Sequence, residues 1–125
     1  MFGSISYFRK VMMQTDHLPR SRKHLPNPDA GSAAKRMNMF LRWMVRNDKK
    51  GVDFGIWKKI KPAELICPID LHVARVAKRF QLLDRKQIDW LAATELTTYL
   101  RTLDANDPVK YDFAICHIGI RKLKF

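Results

Sequence analysis

The sequence predicts an all-α protein, and three observations predict it. Apolar residues recur at spacings of three and four, the pattern that lines one face of a helix. Aspartates and prolines stand just before several of these stripes, where helices start. No convincing strand alternation appears, and only 5 glycines interrupt the 125 residues. That length fits one helical domain over 1–125 with a core of its own.

The first predicted helix runs from Met1 to Met13, with Phe2, Ile5, Phe8 and Met12 on one side. Residues 14–29 form a basic, extended loop. Pro19, Pro26 and Pro28 remove amide donors there and disfavour helix in the residues before them. Asp29 or Ser32 opens the second helix, whose stripe is Ala33, Ala34, Met37, Phe40, Leu41, Met44 and Val45. Trp43 falls beside that stripe and reads as core, while Arg36, Arg42 and Arg46 fall off its centre. The helix ends near Asn47–Gly51. A helical turn is expected around Phe54–Ile60.

Asp70 then caps a third helix bearing Val73, Val76, Ala77 and Phe80. A long helix follows from about Asp89, through Leu91, Ala92, Leu96, Tyr99, Leu100 and Leu103. The last opens at Asp107-Pro108, an acceptor cap followed by proline at the first helical position, and stops near Gly119.

The charge narrows the partners. There are 24 Lys and Arg against 12 Asp and Glu, a net charge of +12. Such an excess attracts polyanions through counterion release. No apolar run approaches the roughly 20 residues that span a bilayer, and the start lacks a secretory signal. The chain therefore reads as cytoplasmic, with nucleic acid ahead of membrane as partner. Cys67 and Cys116 lack zinc spacing and are too few for an iron–sulfur cluster, so they read as small buried hydrophobes. No metal or cofactor is called for, and His17 and His24 read as polar loop residues.

Two residues are candidates for chemistry. Asp70, at a helix start, can cap with one oxygen and turn the other toward a cleft. Lys35 lies in the first turns of a helix, where the dipole disfavours a cation and favours the neutral, nucleophilic amine. The loop Asn27-Pro28-Asp29-Ala30-Gly31-Ser32 leads into that helix and can point amides at a phosphate. Taken singly, each has a plainer reading, Asp70 as a simple cap and Lys35 as a solvated surface cation.

Ile69-Asp70-Leu71-His72-Val73-Ala74-Arg75-Val76 resembles the catalytic-aspartate segment V-D-T-H-V-x-R-V of helix-hairpin-helix DNA glycosylases. Gly31-Ser32-Ala33-Ala34-Lys35 resembles their G-x-G-x-K hairpin. The long insertion between the two looks most like the archaeal-type 8-oxoguanine glycosylases. The order Lys35-Arg36-Met37-Asn38-Met39-Phe40-Leu41-Arg42-Trp43-Met44-Val45-Arg46 is similar to a bacterial family of uncharacterised proteins allied to that superfamily, over roughly residues 14–120.

The resemblance implies a glycosylase with abasic-site lyase activity on an oxidised purine in double-stranded DNA, associated with the bacterial nucleoid. A flipped-out base would enter beside Lys35 and Asp70. Lys35 would form the Schiff base, and Asp70 would help deprotonate it and stabilise the cationic sugar. His72 would orient Asp70. Arg20, Arg22, Lys23, Asn27, Gly31, Ser32, Arg36 and Arg75 would hold DNA. Ala33 replaces the hairpin's second glycine, which weakens close approach of backbone to phosphate, and Leu71 replaces the threonine after the aspartate. Members of that superfamily carry several helices before the hairpin, so the chain reads as N-terminally truncated, with a helical half as missing partner. The alternative reading is a non-catalytic basic DNA-binding module, or an inactive truncated remnant. Of the tryptophans Trp43, Trp57 and Trp90, the best candidate for stacking on a base is Trp57, beside Lys58, Lys59 and Lys61.

Overall fold

Helices carry the fold, as the apolar spacing predicts. The computed structural model describes residues 2–14, 19, 25–47 and 53–121. Among these, five α-helices form and no strand does: α1 (Phe2–Met12), α2 (Lys35–Val45), α3 (Leu71–Arg79), α4 (Trp90–Leu103) and α5 (Asp112–Arg121). None is long and apolar enough to cross a membrane.

The core gathers around α3, α4 and α5. Val73, Ala74, Val76 and Ala77 bury one side of α3, and the two alanines suit its extensive packing against α5. α4 buries Ala92, Ala93, Leu96, Thr97 and Leu100. Leu96 and Leu100 are fully enclosed, each adding about 1.5–3 kcal/mol by leaving water. Ile5 of α1 joins the core, and Phe2 meets Trp90 edge-on at 5.4 Å, which places Trp90 inside and not at a base. Phe8 and Met12, on the same predicted side of α1, stay exposed.

Several sequence expectations change here. α2 does not open at Asp29 or Ser32. A 3-10 turn, Pro28–Ala30, comes first, and the helix starts at Lys35 with no side-chain cap. Arg42 is buried and Trp43 is exposed, the reverse of the expected order. The reason is electrostatic. Arg42 Nε lies 2.9 Å from Asp112 Oδ2 and its Nη1 lies 2.6 Å from Asp53 Oδ1. Arg46 Nη1 reaches the other Asp53 oxygen at 2.7 Å and grips Asp107 through Nε and Nη2 at 2.8 and 2.9 Å. Two guanidiniums thus bind three carboxylates from the insertion, the turn before α5 and α5 itself. Removing one partner of such a pair typically costs about 3–5 kcal/mol, because the other stays buried and charged.

This network also takes Asp107 away from its expected capping role. Its side chain caps nothing, although Pro108 does open the 3-10 turn Pro108–Tyr111 that leads into α5. α5 runs past Gly119 to Arg121.

The expected helical turn around Phe54–Ile60 is absent. The chain there is an extended strap laid along the end of α2. Phe54 and Gly55 amides donate to the Trp43 carbonyl at 2.8 and 3.3 Å, and the Trp57 amide donates to the Met44 carbonyl at 2.8 Å. These bonds satisfy helix-terminal carbonyls that would otherwise need water. Gly55 has φ +61, and a Cβ there would stand 2.6 Å from Asn47 Cβ, so the strap's close approach requires glycine.

Candidate active site

Lys35 and Asp70 meet. Lys35 Nζ donates to Asp70 Oδ2 at 2.7 Å across 35 positions of sequence. Asp70 Oδ1 accepts the Val73 amide at 2.9 Å. One carboxylate thus caps α3 and faces the amine, the double role expected of it. Lys35 is the first residue of α2, and its side chain forms an ion pair with Asp70. Partial burial works against the Asp70 carboxylate. The Lys35 hydrogen bond, the Val73 amide and the charges of Lys35 and His72 outweigh it, so its pKa falls below the usual range.

The pair stands on the wall of a cleft of about 100 Å³. α2 contributes Lys35, Met39 and Arg42, the segment before α3 contributes Pro68 and Asp70, and α5 contributes Asp112, Phe113 and Cys116. Burial pushes the Asp112 carboxyl up to about 6, only partly opposed by Arg42. Burial, helped by Asp70, also raises the Cys116 thiol. Asp112, Cys116, Met39 and Arg42 escape motif reading because only helix packing brings them to Lys35. The α5 spacing of Asp112, Phe113 and Cys116 is the one available signal. The cleft is smaller than the roughly 300–1,000 Å³ of typical small-molecule pockets.

Two contacts position the pair from behind. The Trp90 amide, at the start of α4, donates to the Gly31 carbonyl at 2.9 Å. Further along α4 the Thr97 hydroxyl accepts the Cys67 amide at 2.9 Å and donates to the Ala93 carbonyl at 2.7 Å. The first holds the loop that leads to Lys35, the second the segment that leads to Asp70.

The loop before α2 bonds to itself. Ala30 and Ser32 amides both donate to the Asn27 carbonyl, the Gly31 amide to Pro28, and the Ala34 amide to Ser32 Oγ. Those four amides therefore do not point outward at a phosphate. Gly31 has φ +94, and the second left-handed residue is Ala34 at φ +51. The strain thus falls one position after the predicted glycine replacement at Ala33.

The remaining candidates scatter. Arg36 is exposed one residue round α2 from Lys35. Arg75 is exposed and, by helical geometry, turned away from Val73 and the cleft. Asn27 lines a different recess, against Arg9 and Lys10 of α1. His72 acts on Asp70 through charge, and its buried Nδ1 has no hydrogen-bond partner among the described residues. Arg20, Arg22, Lys23, His17 and His24 lie outside the described residues. Cys67 is fully buried, whereas Cys116 opens partly to the cleft. Among the described residues no group of three or more His, Cys, Asp and Glu could hold a metal ion.

Residues 1–121 match a family model described as a protein of unknown function (DUF2400). No curated protein and no solved structure matches the chain.

Proposed function

The chain belongs to the DUF2400 family, and we propose that it is a helix-hairpin-helix DNA glycosylase with abasic-site lyase activity, acting through Lys35 on an oxidised purine. The observation that carries the reading is the 2.7 Å contact of Lys35 and Asp70. The two residues sit in sequence contexts resembling the nucleophile and aspartate segments of that superfamily, and they meet at the mouth of a cleft.

The chemistry follows from the pair. The Lys35 ammonium passes a proton to Asp70, and the freed amine attacks C1′ of the sugar as the bond to the base breaks. The base leaves with the bonding electrons and takes the proton from Asp70, whose restored carboxylate stabilises the cationic sugar–amine adduct. Ring opening gives a protonated imine. Loss of a C2′ proton then expels the 3′ phosphate and cuts the strand. Lys35 is nearly half exposed, at 45%, so a sugar can reach it without rearrangement of the core.

Borohydride trapping on a duplex carrying an abasic site or 8-oxoguanine tests this. Wild type should form a covalent adduct that Lys35→Gln abolishes and Asp70→Asn reduces by roughly 100-fold or more, as loss of a positioned acid–base group does. An adduct indifferent to Lys35→Gln, or none at all, overturns the reading. The small cleft favours a second reading, a non-catalytic DNA-binding module in which the ion pair is structural. Duplex binding without any adduct is its signature.

A further inference from the structure

We propose that the outer face of α2 and the strap that follows it form a stacking platform for unpaired bases of a nucleic-acid strand. The proposal rests on the reading of nucleic acid as partner, but not on the Lys35 chemistry. Arg36, Phe40 and Trp43 follow one another at spacings of four and three, on one exposed face of α2. The strap adds Phe54, Ile56 and Trp57, all exposed. Trp57 is 41% exposed although it packs edge-on against Phe40 at 5.5 Å.

A contiguous apolar surface left in water on a basic protein calls for an occupant. Charge complementarity identifies it. Lys58, Lys59 and Lys61 follow Trp57 and are exposed. No acidic residue occurs between Phe54 and Ala63, and the nearest upstream, Asp53, is buried under Arg42 and Arg46. Exposed aromatic faces bordered by cations suit a strand whose bases stack while its phosphates meet lysines, and the nearest exposed carboxylate in sequence, Glu64, is tied to the Lys61 amide at 2.7 Å. An acidic protein would match the lysines alone and leave the aromatic rings unused.

The surface is also prepared in advance. Three amide bonds to α2 carbonyls and the tight fit of Gly55 against Asn47 hold the strap, so little order is lost when a strand lands on it. The face adjoins the one bearing Lys35, Met39 and Arg42. A strand on the platform therefore passes beside the cleft.

Fluorescence anisotropy with a labelled single-stranded oligothymidine, and with a fully paired duplex, decides the matter. Trp57→Ala should weaken single-strand binding roughly 5- to 140-fold, the worth of one stacked base. Trp57→Phe should retain most of it, and paired duplex should change little. The salt dependence should keep its slope in Trp57→Ala, because no cation is lost, and flatten by about 1 to 1.5 in the double variant Lys58→Gln, Lys59→Gln. Thermal melts of each variant check the fold, which an exposed side chain should not disturb. Wild-type binding to single strands that Trp57→Ala leaves unchanged overturns the platform, as does absence of single-strand binding. The trapping assay separates the two proposals. An adduct without single-strand binding sinks only the platform, whereas Trp57-dependent binding without an adduct sinks only the lyase.

Discussion

Asp112 shows how one side chain reports on its surroundings. Burial raises its carboxyl to about 6, and Arg42, shared with Asp53, lowers it only in part. A carboxyl that holds its proton more tightly in the folded state favours folding at low pH. That contribution is complete below the unfolded value near 3.8 and is lost as pH rises through about 6. Asp112→Asn removes it. Urea unfolding of both proteins from pH 4 to pH 7 should show the wild type losing stability relative to the variant, and parallel profiles would refute the ionisation. Asp70 and Asp89 run the other way, since their lowered values add stability that is lost in acid. They are common to both proteins and cancel in the comparison. At this scale the sequence was informative where a motif existed. That Lys35 and Asp70 would meet was legible, because each lies at a helix start in a segment that resembles a known motif, and the structure brings them to 2.7 Å. Arg42 was not, because a guanidinium on a helix carries no local sign that Asp53 and Asp112, 11 and 70 positions away, will enclose it.

At the scale of elements, helices were easier to read than their joints. The α3 and α4 starts follow from Asp70 and Asp89, whose side chains accept the Val73 and Ala92 amides. The start of α2 did not follow, because its cap is Ala34, which offers no side-chain acceptor. The strap was misread as helical because Phe54, Ile56 and Trp57 are apolar, and only the tertiary bonds to α2 make them extended. Gly31 tests the joint before α2 cleanly. Nothing stands within 4 Å of a Cβ built there, so Gly31→Ala meets backbone strain alone. It should lower unfolding free energy by about 1–2 kcal/mol, measured by chemical denaturation. A neutral result would mean that the loop relaxes out of its left-handed turn. Borohydride trapping on the same variant would show whether Lys35 depends on that turn.

Over the whole molecule, charge organises the surface. Six of the 12 acidic residues are bound to the protein's own cations among the described residues, and the remaining lysines and arginines set the outer field. Duplex DNA binding should accordingly be steep in salt. With about five phosphates engaged, log affinity should fall by about 4 to 5 per tenfold rise in salt, as read by anisotropy between 50 and 300 mM salt. Weak, flat binding would remove nucleic acid as the partner. The all-α class was legible from spacing alone, because burial of apolar stripes is what decides it. The pairing of α3 with α5 was not, since spacing tells which side is buried and not against what.

The two hydrogen bonds behind the cleft lead further. Trp90 and Thr97 stand seven residues apart on α4, about 10 Å along its axis. One anchors the approach to the amine and the other the approach to the carboxylate. A rigid displacement of α4 carries both anchors in common mode, as a jig carries two workpieces, and leaves their spacing unaltered. Only bending between the anchors changes it. The backbone approaches to Lys35 and Asp70 are thus both referred to the same two turns of α4, to which neither residue belongs.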